Sequence, residues 1–330
     1  MWQRIALFSA AALVAVQSFP LRAEEPRPPS SPSLWAGSKW VRLEIIGGKI
    51  AVQTSRCGNC VAIVEPTEQC ATRETLAIQA HPPAVLVHYE WDDGQRQIGL
   101  DIDDRGTLLL ASGGQGTAAL RYVQPAEGGV TLEIGGQKQP FSAATLWHLA
   151  LVEPAACGEH LLPLLAELRP QWRLAEQAAR LEQALISRAG TDMHAQRGQW
   201  QAWVDELAAD GFAQRQAADQ ALRQAGQPVL AFLRQQRLAE LNPEQRRRIR
   251  AILAEVADSS PDSPERVAGW LLDDRAVWLA LLNRGELEQR VAAAEHLSKL
   301  CRRNLPFDPS ASPESRQAQL VDLQAKLAEK

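Results

Sequence analysis

The sequence predicts an α+β chain in two segregated parts, an antiparallel β-sandwich or barrel followed by an α-helical solenoid. Three observations predict it. Between Trp40 and about Gly136, apolar and polar residues alternate in short runs punctuated by Gly, Asp and Pro, the period-two pattern of half-buried strands. After Phe141 the apolar spacing changes to threes and fours, the helical period. Three later stretches also read alike. Phe212 to Leu222, Pro243 to Leu253 and Leu287 to Leu297 each carry Gln-Arg at the third and fourth places and Leu at the eleventh. Their starts lie 31 and 44 residues apart, and self-similarity at such intervals marks stacked helical units.

The chain opens with Met1-Trp-Gln-Arg4, an apolar run from Ile5 to Val16, and Leu21-Arg22-Ala23. A positive start, a short apolar core and a small residue at the break read as a secretory signal peptide over 1–23. The run is too short for a bilayer, which needs roughly 20 helical residues. The expected location is therefore outside the cytoplasm, periplasmic or extracellular, with no membrane span in the mature chain. Residues 24–34 hold Pro26, Pro28, Pro29 and Pro32 and read as a stiff linker. The net charge of −4 argues against nucleic acid as the main partner. The run Arg246-Arg247-Arg248-Ile249-Arg250 is a local exception, read as a solvated helix face.

The β-rich domain is expected over 35–141. Val41 to Ile46 meets Gly47-Gly48 before Lys49 to Thr54, a hairpin signal. Further runs are Ala84 to Trp91, Gln97 to Ile102, Thr107 to Ala111, Ala119 to Val123 and Val130 to Ile134. Each stops near Asp, Gly or Pro, so they read as short strands joined by turns.

Residues 142–192 are expected as a helical connector or cap. Pro154 can open a helix, whereas Pro163 falls inside a leucine cluster and must start or kink one. Leu174, Ala178, Leu181 and Leu185 share the next helix's face. Asp210 and Asn242 sit where helix caps belong, and Asn242-Pro243-Glu244-Gln245 is close to a capping box. Within the three similar stretches the seventh, eleventh and fourteenth residues fall on one face. They are Ala218, Leu222 and Ala225, then Ile249, Leu253 and Val256, then Ala293, Leu297 and Leu300. A shared buried core is the expectation for them.

These residues resemble the HEAT-like repeats common in bacterial proteins. The resemblance covers 193–303. It implies pairs of antiparallel helices stacked into a curved solenoid, with the last segment, 304–330, as a capping helix. It also implies that Arg215, Arg246 and Arg290 bond neighbouring turns, in a repeat frame built on Leu222, Leu253 and Leu297. The stretch 258–266, with Gly269-Trp270, is an insertion the repeat pattern does not require.

Cys57-Gly-Asn-Cys60 is the sharpest chemical motif. With Cys70 and His81 nearby it offers a redox pair, a zinc site or a plain disulfide. Thioredoxin-type chemistry needs the first Cys at a helix N-terminus, and the pair here sits among strand signals. In an exported chain a structural disulfide among Cys57, Cys60 and Cys70 is the expectation. Asp101, Asp103, Asp104 and Gly106 echo a calcium loop without its closing Glu, and read as a turn. Trp200, Trp203, Trp270 and Trp278 read first as core, and as partner anchors where exposed.

No reactive set names a reaction. The expectation is a non-enzymatic protein-interaction scaffold of the cell envelope, with no cofactor and an unidentified protein partner. The alternatives are a thiol or zinc protein acting through Cys57 and Cys60, a carbohydrate-binding β-half, and an enzyme whose site lies between the two parts.

Overall fold

The computed structural model describes Leu34 and residues 40–54, 59–66, 71–81, 84–190, 194–225, 227–234, 236, 240–256 and 260–328. The expected signal peptide and nearly all of the linker lie outside the described residues. An antiparallel β-region over 41–143 is followed by a helical region, so the fold is α+β in two parts.

The first two strands, β1 (Val41–Ile46) and β2 (Lys49–Thr54), pair only with each other. Gly47 and Gly48 close the hairpin at φ of 62° and 76°, the left-handed conformation that a two-residue hairpin turn demands. The other strands are β3 (Asn59–Val64), β4 (Arg73–His81), β5 (Ala84–Asp92), β6 (Arg96–Ile102), β7 (Leu108–Gly114), β8 (Thr117–Gln124), β9 (Val130–Ile134) and β10 (Phe141–Ala143). They form one eight-stranded sheet in which each strand pairs antiparallel with its chain neighbours, from β10 at one edge to β3 at the other. Alternate residues point to one face. Ile78, Tyr89, Leu100, Leu110, Tyr122 and Leu132 lie on the buried side, while Glu90, Asp101, Arg121 and Glu133 are exposed on the other. The hairpin packs on the buried face, where Ile50 exchanges two 2.8 Å hydrogen bonds with the Gln124 side chain.

The expected helix from Ser142 begins later, because β10 continues the sheet through Ala143. Helix α1 (Leu146–Val152) follows, capped by Thr145, whose hydroxyl accepts from the His148 N–H. Helix α2 (Pro154–Leu168) bends away from α1 by 110°. Pro163 stands at the start of the α-helical segment Leu162–Leu168 inside α2, as a proline in a first turn can. The turn before it widens, and the Leu162 N–H reaches back five residues to the Cys157 carbonyl. Such a π-turn absorbs the missing proline N–H within a continuing helix. No single helix among the described residues is long and apolar enough to cross a membrane.

The remaining helices are α3 (Leu174–Ser187), α4 (His194–Glu206), α5 (Phe212–Gln224), α6 (Gln227–Arg234), α7 (Pro243–Val256), α8 (Pro264–Leu271), α9 (Arg275–Leu281), α10 (Leu287–Cys301) and α11 (Pro313–Ala328). They do not share one core. The buried face of the sheet, the hairpin, α1 to α3 and α8 to α11 enclose a single apolar cluster. Helices α4 to α7 enclose a second, built on Trp200, Val204, Leu222, Phe232 and Ile249. The three similar stretches are therefore split. Ala218, Leu222 and Ile249 are buried in the second cluster, with Leu253 packed against it, whereas Ala293 and Leu297 belong to the first. The expectation of one shared core is corrected on this point. The physical reason is that residues four and three apart fix which face of a helix is apolar but not which neighbour covers it.

Candidate functional site

The junction between the sheet and the helices is tied by buried polar groups. Asp262 lies in the stretch that the repeat pattern left unexplained, just before α8. Its carboxylate accepts from the Gly47 N–H at 2.9 Å, the Gly48 N–H at 2.7 Å and Trp147 Nε1 at 2.8 Å. Its own N–H donates to the Ile45 carbonyl at 2.7 Å. Two successive N–H groups of a left-handed turn form a cradle for an anion, and Asp262 fills it from within the chain. Burial pushes the Asp262 carboxyl above its ordinary range, while the donors from Trp147, Gly48 and Gly47 oppose that. One residue thus joins the β1–β2 hairpin, α1 and the start of α8. Arg169 adds a second tie, donating to the Leu43 carbonyl and pairing with Glu44 at 3.0 Å.

Beside it stands a chain of groups that has the order of a catalytic triad. Thr145 Oγ1 lies 2.8 Å from His148 Nδ1, and His148 Nε2 lies 3.0 Å from Asp274 Oδ2. Asp274 also caps α9, accepting from the Ala276 and Val277 N–H groups. Burial works to raise the Asp274 carboxyl, but the His148 hydrogen bond and these N–H groups hold it below its usual value. Thr145 is half-buried. A Cβ placed on Gly48 would stand 2.5 Å from Thr145 Cβ, so the hairpin turn sits directly on the threonine. Sequence reasoning missed this joint, although Gly47-Gly48 and the unexplained stretch were its two traces.

Two of the shared arginines, Arg215 and Arg290, have a common task. Arg215 Nη1 donates to the Ala209 and Asp210 carbonyls at 2.7 and 2.8 Å. Arg290 Nη1 donates to the Arg284 and Gly285 carbonyls at 2.7 and 2.6 Å, and its Nε to the Pro309 carbonyl at 2.8 Å. In both, the bonded turn carbonyls lie five and six residues earlier, where the preceding helix has ended and its carbonyls lack intrahelical partners. The same contact recurs at Arg266, to the Ser260 and Pro261 carbonyls, and at Arg316, to the Ala311 carbonyl. Neither of those belongs to a repeat. Arg246 occupies the matching place on α7. Asn242 and Gln245 exchange reciprocal side-chain bonds at 2.8 and 3.0 Å there. The expected Asp210 cap is corrected, since α5 is capped by Gly211 without a side-chain bond. Arg215 takes up that turn's carbonyls instead.

Between α5 and α7 lies a groove of about 420 Å³, lined by Gln216, Asp219, Arg223, Arg247, Arg248 and Ala251. Asp219 is buried and pairs with both Arg223 and Arg248. Glu244 binds Arg248 at 2.6 Å and Arg247 at 3.1 Å, and these hydrogen bonds hold its carboxyl below the usual range. The guanidinium planes are thereby fixed at the rim of a groove.

The other expected site residues are dispersed. Cys57 and Cys70 lie outside the described residues, as does the His81 side chain. Cys60 is disulfide-bonded and half-buried on β3, while Cys157 and Cys301 are free thiols. Burial pushes the Cys157 thiol up to about 12, which keeps it protonated and unreactive. Among the described residues no three His, Cys, Asp or Glu gather as metal ligands. Asp103 accepts from the Arg105 and Thr107 N–H groups, a plain Asx turn. Trp200 and Trp278 are buried in the two cores, and Trp203 and Trp270 are half-buried. Trp200 and Trp278 are therefore packing residues and not surface anchors. His296 is buried and bonded at both nitrogens, to the Gly190 N–H and the Leu272 carbonyl. No family model matches the chain, and neither a curated protein nor a solved structure does.

Proposed function

We propose that this chain is an exported, non-enzymatic interaction scaffold of the cell envelope, in which the lobe α4 to α7 meets a protein partner through the arginine-rich groove between α5 and α7. The observation that carries the reading is the charge of that lobe. Residues 194–256 hold nine Arg, no Lys and seven Asp or Glu, a net +2, whereas the whole chain is −4. Arginine forks match carboxylates in a bidentate way, so an acidic segment is the fitting occupant. The lobe is read as two HEAT-like helical hairpins, and the sheet with its packed β1–β2 hairpin as a partial sandwich.

The groups that resemble reactive chemistry have structural duties. Thr145 caps α1 beneath the hairpin turn, Asp274 caps α9, and Cys157 is a buried thiol. Cys57, Cys60 and Cys70 are read as holding a structural disulfide, so a zinc or redox role is not favoured.

Co-purification from envelope extract tests the reading. A discrete partner retained by the unaltered protein and lost with Arg247→Glu plus Arg250→Glu supports it. Identical retention by both, or no partner with either, contradicts it.

A further inference from the structure

The two edges of the sheet are unlike. β10 has three residues and packs against α1. β3 is six residues long, Asn-Cys-Val-Ala-Ile-Val, and carries no charge. Its outward residues Val61 and Ile63 are 54% and 55% exposed, the most exposed large aliphatics of the described sheet. Natural sheets blunt an open edge with charge, proline, a bulge or short length. Among the described residues β3 shows none of these devices, and β4 is its only strand neighbour.

We propose that β3 is a self-association edge, pairing antiparallel with β3 of a second copy about a twofold axis. The self-complementarity of the strand selects this occupant. In an antiparallel pair, residues directly opposite share one face. A dyad at Ala62 places Val61 opposite the partner's Ile63, and Ile63 opposite the partner's Val61, both on the outward face. It leaves no charge within the five positions 60–64 that pair with one another, and Asn59 falls opposite the partner's Glu65. Shifting the register by two residues in either direction leaves one of these aliphatics facing a polar residue, Asn59 or Glu65. The contact is isologous and occupies the β3 edge of both copies, so it closes at two copies. A single strand pair is a small interface, and a dissociation constant on the order of 10 µM is expected.

Sedimentation of the exported, disulfide-oxidised chain across a concentration series tests this. The expected result is a monomer–dimer equilibrium. It shifts to monomer in Ile63→Lys and in Val61→Lys, with far-UV circular dichroism unchanged because both side chains point to solvent. Hydrogen exchange of residues 59–64 should slow as concentration rises. A chain that stays monomeric up to about 100 µM overturns the proposal. So does a dimer that both variants leave intact, or a ladder of higher oligomers. An edge occupied only when a strand from another protein is supplied overturns it as well.

Discussion

Asp262 ties three elements together at the joint between the hairpin, α1 and α8. Among the described residues it is the acceptor for the Gly47 and Gly48 N–H groups and for Trp147 Nε1. Asp262→Ala leaves those donors unsatisfied at a buried joint, and a loss of about 3–5 kcal/mol is expected by denaturant unfolding. Asp262→Asn keeps one acceptor oxygen and loses less. Asp274 supplies a pH dependence. Its folded-state value is lowered, so near and below the ordinary carboxylate value the unfolded chain binds more protons than the folded one. The stability it contributes is therefore full above that value, about 3.9. It is lost as pH falls through the lower folded value. Unfolding measured from pH 6 down to pH 2 should be less pH-dependent in Asp274→Asn than in the unaltered chain. An unchanged slope contradicts the assignment. None of this was legible in the sequence, because the partners of Asp262 are 214 or more residues away at the hairpin and 115 away at Trp147.

At the scale of elements, the strands with strict alternation and Gly or Asp turns were readable, from Val41–Ile46 through Val130–Ile134. β4 was not, because Glu74 is buried on its inward face, bonded to the Tyr89 hydroxyl at 2.8 Å. A charge at a core position hides the period. The Gln-Arg likeness falls in the first turn of each helix, where Arg215 and Arg290 bond the carbonyls of the turn before. Arg290 binds three carbonyls and is buried, while the exposed surface around α7 leaves Arg246 half-buried. Arg290→Ala should cost about 2–4 kcal/mol. Arg290→Lys should recover only part of this, since an ammonium lacks the planar fork. Equal effects at Arg246 and Arg290 would argue for a common repeat role instead.

At the scale of the molecule, two apolar clusters divide the helices. The change of period near Phe141 foretold a sheet followed by helices, but spacing alone does not tell which helices pack together. The sheet, the hairpin and α8 to α11 share one core although they are far apart in sequence, held by Asp262, Arg169 and Gln124. The lobe α4 to α7 has a smaller core of its own. Native-state hydrogen exchange should find α4 to α7 opening at lower free energy than β5 to β8, and equal protection would contradict the division. The proposed role of this lobe is to receive an acidic partner in its groove. A photo-crosslinking residue at Ala251, in the groove wall, tests it most directly in envelope extract. The account predicts one discrete adduct, abolished by Arg247→Glu with Arg250→Glu and absent when the probe sits at Glu133 on the open sheet face. No adduct at Ala251, or one indifferent to the two arginines, would contradict it.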